Sequence, residues 1–140
     1  MATREELADT LAGFALFADL GSPQLLGVAG LFEEVAIAQG ERVLRQGLTG
    51  SGFYLILDGA ADVRIDGTSR GNLHRGDFFG EVSILLAEPP TADIVATTPL
   101  ACLVLGEAGV KPFLLAYPTV MYRILQAQAR RLRNANRWRS

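Results

Sequence analysis

The chain has 140 residues, of which 49% are hydrophobic and 20% are charged, and its net charge is −2. This composition is typical of one globular domain with its own core, and it excludes a disordered chain. The N-terminus lacks a basic segment followed by a long apolar run, and no apolar stretch would span a bilayer, so we expect a cytoplasmic protein without membrane contact. Cys102 is the only cysteine, which excludes an internal disulfide and predicts a small core residue.

The first part of the chain contains two segments with apolar residues at helical spacing. They cover residues 4–16 and 23–34. Ser22 is a good helix cap and Pro23 fits the first helical position, so the second helix is predicted to begin there.

From Val35 onward, the apolar period changes to two, and glycines recur at the spacing of short antiparallel strands. These glycines are Gly40, Gly47, Gly50, Gly52, Gly59, Gly67, Gly71 and Gly76. Strands are predicted at residues 43–44, 53–57, 61–65, 74–78 and 94–105. Asp66-Gly67 is a hairpin turn of a favoured kind. The pattern predicts a sandwich or a jelly-roll.

The stretch from Gly76 to Ala96 combines a glycine turn, a short apolar run, a Pro-Pro break and a return to alternating residues. It predicts a strand, a helical turn, a loop and another strand. Gly80 allows backbone N–H groups to approach a ligand, and the helical turn after it presents further N–H groups to an anion. Glu81 follows directly and is a good acceptor for a sugar hydroxyl. Together these groups suit a compact nucleotide.

After Gly109 the pattern is helical again, with a short helix at residues 110–115 and a longer one from Thr119. The longer helix carries a narrow apolar seam at Met121, Leu125, Gln128 and Leu132. This seam either packs on the barrel or pairs with a second copy.

Five arginines crowd the last eleven positions, with no acid among them. They are Arg130, Arg131, Arg133, Arg137 and Arg139. A solvated helix end with favourable cations near its C-terminal dipole explains them, and nucleic-acid contact is the alternative. The first explanation is favoured, because no recognition-helix pattern accompanies the arginines.

The stretch around Gly80 resembles the phosphate-binding cassette of the cyclic nucleotide-binding domain family. That cassette reads Phe-Gly-Glu, an apolar run, then Pro-Arg-x-Ala-x-Val. The matching residues are Phe79, Gly80 and Glu81 at its start and Pro89, Thr91 and Ala92 at its far end. Pro90 replaces the arginine that holds the cyclic phosphate in the family. The glycines and apolar runs of the middle region follow the family's order, so the resemblance extends from about Phe17 onward.

The resemblance implies a mainly β fold with flanking helices, the double-stranded β-helix or jelly-roll of the cyclic nucleotide-binding type. It implies a single domain over residues 1–140. Its parts are a helical N-terminus at 4–34, a β-barrel at 35–108 with the cassette at 79–93, and C-terminal helices at 109–138. The implied ligand is cAMP or cGMP, with no metal and no other cofactor. Phosphate contacts are assigned to Gly80, Val82, Ser83, Thr91 and Ala92, the ribose contact to Glu81, and base contacts to Val63 and Leu73.

Three classes of function are compared. The first is a regulatory sensor, in which the ligand orders the cassette and shifts the C-terminal helix, with binding weakened because Pro90 has no donor. The second is a degenerate module that binds no nucleotide and acts through protein interaction or dimerisation. The third, a cupin-type metalloenzyme, is excluded because His74 is the only histidine. We therefore expect a protein that is not an enzyme.

The resemblance also bears on partners. In the family a helix at the position of the long C-terminal helix covers the nucleotide base and often pairs with its twin, which implies a homodimer. No DNA-reading helix-turn-helix is predicted after that helix. The sequence leaves the effector protein open. Arg70 and Arg75, which precede the cassette, are interpreted as solvated turn residues rather than substitute cations.

Overall fold

The computed structural model describes residues 2–48 and 52–137, so the predicted turn glycine Gly50 and the terminal Trp138 and Arg139 lie outside the described residues. The chain divides into two compact units. One contains Gly30–Val110, and the other contains Ala2–Ala29 together with the residues from Lys111 onward. The single domain over residues 1–140 stays a prediction.

The unit from Gly30 to Val110 consists of two four-stranded antiparallel sheets, which confirms the predicted jelly-roll. The strands are β1 (Glu33–Ile37), β2 (Arg42–Leu44), β3 (Gly52–Asp58), β4 (Ala61–Ile65), β5 (Thr68–Leu73), β6 (Phe78–Phe79), β7 (Asp93–Ala96) and β8 (Leu100–Gly106). One sheet has the order β1-β8-β3-β6 and the other β2-β7-β4-β5. The predicted turn between β4 and β5 is confirmed, because Asp66 and Gly67 both have positive φ, at 53° and 80°.

Alternating residues of both sheets build the core of this unit. Ile56 and Cys102 come from one sheet and Ala61 and Ile94 from the other, and they belong to one buried cluster. Cys102 is a core residue, as predicted, and burial raises the pKa of its thiol to about 11. A thiol with this pKa stays protonated near neutral pH, so Cys102 contributes packing rather than reactivity.

Two of the predicted strands were wrong. Residues 74–77 form a turn rather than a strand, in which Asp77 accepts a hydrogen bond from the His74 N–H at 2.8 Å. The sequence missed β5 (Thr68–Leu73) because this edge strand is exposed almost throughout and has no apolar alternation. The predicted strand at residues 94–105 is divided into β7 and β8. Between them, Thr97 and Thr98 form hydrogen bonds with Ala60, and Pro99 follows.

The second unit is helical and contains α1 (Arg4–Ala12), a 3-10 turn (Ala15–Phe17), α2 (Ser22–Ala29) and α5 (Pro118–Arg137). The helix predicted at residues 4–16 ends at Ala12, and Gly13 caps it. A capping box between Thr3 and Glu6 fixes its start, with the Glu6 N–H donating to Thr3 Oγ1 at 3.1 Å. Within the described residues, no helix combines the length and the apolar character needed to cross a bilayer.

The boundaries of the predicted helical regions also need correction. The helix predicted at 23–34, and with it the N-terminal region 4–34, ends at Ala29. Glu33 and Glu34 instead begin β1, because they pair with Val104 and Leu103 of β8, and this pairing overrides their helical propensity. The C-terminal helices begin earlier than residue 109, since α4 covers Glu107–Ala116.

An ion pair within the helical unit holds the start of α5. Arg123 donates two hydrogen bonds to the Asp19 carboxylate, from Nε at 2.8 Å and from Nη2 at 3.0 Å. These bonds lower the pKa of Asp19 and raise that of Arg123. Val120 and Ile124 are buried on the same helix, so the first two turns of α5 are anchored by packing as well as by charge.

Candidate functional site

Gly80 sets the geometry at the start of the cassette. It connects β6 to the short helix α3 (Glu81–Leu86) and has a φ of 94°, a conformation that favours glycine. A Cβ at this position would collide with the carbonyl oxygen of Gly52. The glycine is therefore required both by its backbone conformation and by the close approach of β3. The close approach of a ligand, which the sequence predicted for Gly80, stays a prediction.

The first turn of α3 places a carboxylate and a hydroxyl in the protein interior. Glu81 is 2% exposed and Ser83 is 9% exposed. The Ser83 hydroxyl donates to the carbonyl oxygen of Gly80 at 3.2 Å. A buried carboxylate is costly unless hydrogen-bond donors surround it, so a deeply buried Glu81 is a strong candidate acceptor within this unit. Gly80, Glu81 and Ser83 thus lie together, as the sequence predicted.

The rest of α3 points outward. The side chain of Val82 is 40% exposed, and those of Leu85 and Leu86 are 54% and 59% exposed. Any ligand contact from Val82 would therefore come from its backbone N–H, which belongs to the helical turn where N–H groups have no intrahelical acceptor.

The far end of the cassette is tied to the segment that follows β2. The Gly47 N–H donates to the carbonyl oxygen of Pro90 at 2.8 Å, and the Gln46 N–H donates to the Asp93 carboxylate at 2.7 Å. Pro90 itself is buried. The sequence did not predict these two hydrogen bonds, because no local pattern connects residues more than 40 positions apart.

The remaining predicted site residues occupy different environments. Thr91 is exposed and Ala92 is half-buried. Val63 lies on β4 and Leu73 on the neighbouring strand β5. Both side chains are half-buried and pack against the core cluster that the two sheets build. The ligand roles assigned to these residues stay predictions.

Tyr54 is a candidate site residue that the sequence did not identify as such. Its ring stacks on that of Phe79, the first residue of the cassette motif, with centroids 4.8 Å apart and an angle of 3° between the planes. Burial raises the pKa of its phenol. A stacked aromatic pair beside the cassette stiffens the strand that presents Gly80. Tyr54 and Phe79 lie opposite each other because β3 pairs with β6. A two-residue strand such as β6 is too short for this pairing to be predicted from the sequence.

The two arginines that precede the cassette in the sequence, Arg70 and Arg75, are differently engaged. Arg75 donates to the carbonyl oxygen of Leu57, which agrees with its interpretation as a turn residue. Arg70 is exposed and belongs to β5 rather than to a turn, which corrects the interpretation from sequence. Neither observation assigns to these residues the role of the missing arginine.

The second buried carboxylate of this unit belongs to a structural network. Asp62 accepts hydrogen bonds from the Ser69 hydroxyl at 2.6 Å and from Arg64 Nε at 2.8 Å. These bonds lower the pKa of Asp62. A carboxylate satisfied by two side chains on adjacent strands links β4 to β5 and needs no ligand. Across the part of the chain that the structure describes, no three His, Cys, Asp or Glu side chains are grouped as metal ligands would be.

A comparison with protein families decides the class of the fold and of the site. The family model described as the cyclic nucleotide-binding domain matches residues 34–117, which include all eight strands but the first residue of β1, and the whole cassette. The chain belongs to the cyclic nucleotide-binding domain family. This confirms the predicted family and the predicted jelly-roll fold.

Individual cyclic nucleotide-binding relatives agree with this assignment. The chain is 36% identical over 104 residues to a cAMP-dependent protein kinase regulatory subunit of Blastocladiella emersonii, covering 71% of this chain and 26% of that subunit. It superimposes on the catabolite activator protein of Thermus thermophilus with a TM-score of 0.77 and 28% identity, covering 86% of this chain and 59% of that one. The chain thus spans about a quarter of the length of the kinase regulatory subunit that it matches.

A third relative is a solved structure with bound cAMP. The chain superimposes, with a TM-score of 0.76 and 25% identity, on a triple mutant of the regulatory subunit of a cAMP-independent protein kinase A from Trypanosoma brucei, bound to cAMP in its A site. The match covers 89% of this chain and 46% of that subunit. One of the three substitutions in that mutant introduces an arginine.

Proposed function

We propose that this domain is a regulatory module that senses cAMP, cGMP or a related nucleotide weakly, because the arginine of its phosphate cassette is replaced by Pro90. The replacement is the observation that carries the proposal. The proline side chain has neither the positive charge nor the hydrogen-bond donors of an arginine, whereas the glycine turn, the buried Glu81 and Ser83 are kept. The domain binds rather than catalyses, and its cytoplasmic location remains a prediction of the sequence.

In this proposal each retained group has a separate task. The N–H groups that open α3, with Thr91 and Ala92 at the far end of the cassette, contact the cyclic phosphate. Glu81 accepts a hydrogen bond from the ribose hydroxyl, and Val63 and Leu73 contribute to the wall facing the base. The negative charge of Glu81 then lies near the phosphate without the family's cation between them, which lowers affinity in a partly desolvated site.

The Trypanosoma brucei structure supports this reading of Pro90. That regulatory subunit is described as cAMP-independent, and its cAMP-bound form carries a substitution that introduces an arginine. By analogy, an arginine at position 90 of this chain supplies the donor pair and the charge that the cassette lacks.

Replacing Pro90 with arginine is expected to strengthen cyclic nucleotide binding by about ten- to a hundredfold. A hydrogen bond to a charged group contributes roughly 1.5–3 kcal/mol, and each ~1.4 kcal/mol changes affinity tenfold. Isothermal titration calorimetry with cAMP and cGMP measures the effect on the parent and on Pro90→Arg. Pro90→Ala is the matched control, since it removes the ring and restores an N–H without adding a cation, and it should bind no better than the parent.

The same titration separates the two candidate functions. Sub-micromolar binding of cAMP by the parent would show that another group replaces the arginine, and the proposed weakness would be wrong. If neither the parent nor Pro90→Arg binds either nucleotide, the degenerate module that acts only through protein interaction takes precedence.

We further propose that the domain forms a homodimer through α5. Tyr122, Leu125 and Leu132 are 60–64% exposed and lie along one side of this helix at spacings of three and seven residues, and Met121 beside them is 39% exposed. An apolar stripe with this spacing on an anchored helix fits a second α5 in a two-helix seam. The exposure of these side chains favours pairing with a second copy of the helix.

Leu125→Asp is expected to convert the dimer to a monomer. The substitution places a charge in the middle of the seam, where burial against a second copy would be costly. Light scattering coupled to size-exclusion chromatography gives the mass directly. Leu31→Asp is the control, because Leu31 is 49% exposed but belongs to the other unit and should not change the mass. A parent that is monomeric at all concentrations would contradict the proposal.

A further inference from the structure

The second half of α5 carries a basic face that is distinct from its apolar stripe. Arg130, Arg133 and Asn134 follow the spacing i, i+3 and i+4, which places them on one side of a helix. We call these three residues the arginine face. All three are exposed.

No acidic residue offsets the charge of the arginine face. All 15 acidic residues precede residue 108, whereas seven of the 13 basic residues follow residue 110. The ion pairs within the described residues involve Arg42, Arg64 and Arg123, and none involves Arg130 or Arg133. The net charge of −2 therefore conceals a strongly basic C-terminal segment.

The helix dipole does not account for this face. Its effect is limited to the last turn of a helix, and α5 ends at Arg137. Arg130 lies about two turns before that end and Arg133 about one turn before it. An intrahelical partner is also absent from the sequence, because α5 contains no aspartate or glutamate.

We propose that the arginine face binds the phosphate backbone of a nucleic acid without reading its sequence. All five cations in the last eleven positions are arginines rather than lysines, and a guanidinium grips phosphate with two donors. Asn134 adds a neutral donor. At 1.5 Å per residue, Arg130 and Asn134 are about 6 Å apart along the helix, which corresponds to about two phosphates of one strand along the duplex axis.

A nucleic acid fits this face better than a lipid surface does. An in-plane membrane helix inserts apolar side chains between its cations. The arginine face contains no large apolar side chain, and the apolar stripe on the other side of α5 is assigned to the dimer. Backbone contact of this kind needs no helix-turn-helix, so it is independent of the cyclic nucleotide site.

The test is fluorescence anisotropy of the full chain with a labelled 20-base-pair DNA duplex and an RNA duplex of equal length, over a series of salt concentrations. We expect Kd values on the order of 10⁻⁴–10⁻⁶ M for the parent. Arg130→Gln combined with Arg133→Gln should weaken binding and reduce the slope of log K against log salt by about 1.8, since each lost phosphate contact contributes about 0.9. Circular dichroism verifies that α5 keeps its helix.

The control is the pair Arg45→Gln and Arg70→Gln, which removes the same charge from exposed arginines of the other unit and should leave the slope unchanged. An equal loss in the control would mean that net charge alone drives binding, and the proposal would be wrong. It would also be overturned if neither duplex bound at low salt, or if the parent bound only vesicles of phosphatidylserine and phosphatidylcholine. If DNA alone or RNA alone binds with the expected slope, the result identifies which of the two polymers fits the face.

Discussion

Gly80→Ala is expected to destabilise the domain by between about 2 and 6 kcal/mol, which is large for the addition of one methyl group. Two costs of about 1–3 kcal/mol each are combined. The first is backbone strain, because Gly80 has a φ of 94° that an alanine adopts reluctantly. The second is overpacking, because the new Cβ would collide with the Gly52 carbonyl, a backbone atom that moves only if β3 moves. Urea denaturation measures the free energy of unfolding.

Two other glycines separate these costs. Gly40 has a φ of 87° and open space around the position of a Cβ, so Gly40→Ala carries only the strain of about 1–3 kcal/mol. Gly71 has open space and no positive φ in an exposed strand, so Gly71→Ala should be neutral or slightly stabilising. The interpretation of the cassette turn fails if Gly80→Ala costs no more than Gly40→Ala. A double variant with Gly80→Ala and Pro90→Arg that keeps its fold should also lose the nucleotide binding expected of Pro90→Arg alone.

The sequence predicted well those parts of the fold whose signals are local. The strand Ala61–Ile65 was located to the residue, because alternating side chains are followed at once by the Asp66-Gly67 turn. The short helix after Gly80 was located for a similar reason, since the glycine and the Pro-Pro break mark both its ends. In each case the residues that specify the element lie within it or next to it.

Elements specified by distant partners were predicted poorly. Thr68–Leu73 forms a strand because it pairs with β4 at the edge of a sheet, and an edge strand exposed on both faces carries no apolar period. The sequence predicted Glu33 and Glu34 as the end of a helix, whereas they form a strand because they pair with β8. Boundaries of this kind depend on contacts across the chain rather than on propensity.

The candidate site shows the same division. Gly80, Glu81 and Ser83 lie within four consecutive positions, and the sequence identified them together. The hydrogen bonds from Gln46 to Asp93 and from Gly47 to Pro90 join residues more than 40 positions apart, so they could not be predicted from local sequence patterns. The apolar period of α5 was also visible, but only the structure shows that Leu125 and Leu132 are left exposed.

Phe53→Ala is expected to cost about 3–5 kcal/mol, the range for emptying a buried aromatic site. Phe53 is 1% exposed, and its ring contacts those of Phe32 at 6.1 Å and Phe78 at 5.7 Å between centroids. It lies on the side of β3 opposite to the core cluster that contains Ile56, so the strand is buried on both faces. Loss of the ring therefore leaves a cavity that neighbouring side chains close only in part.

Phe53→Leu distinguishes volume from aromatic contact. Leucine keeps much of the apolar volume but loses the two ring pairs, which contribute about 0.5–1.5 kcal/mol each beyond their buried area. Its cost should fall well below that of Phe53→Ala, while Leu48→Ala, at a residue 54% exposed, should change the free energy of unfolding by no more than about 0.5 kcal/mol. Equal costs for Phe53→Leu and Phe53→Ala would mean that the rings of Phe32, Phe53 and Phe78 act through their mutual geometry. A cost for Phe53→Ala near that of Leu48→Ala would instead contradict the buried position of Phe53 on β3. The packing of β3 also matters for the cassette, because the cassette strand β6 pairs with β3 and takes its position from it.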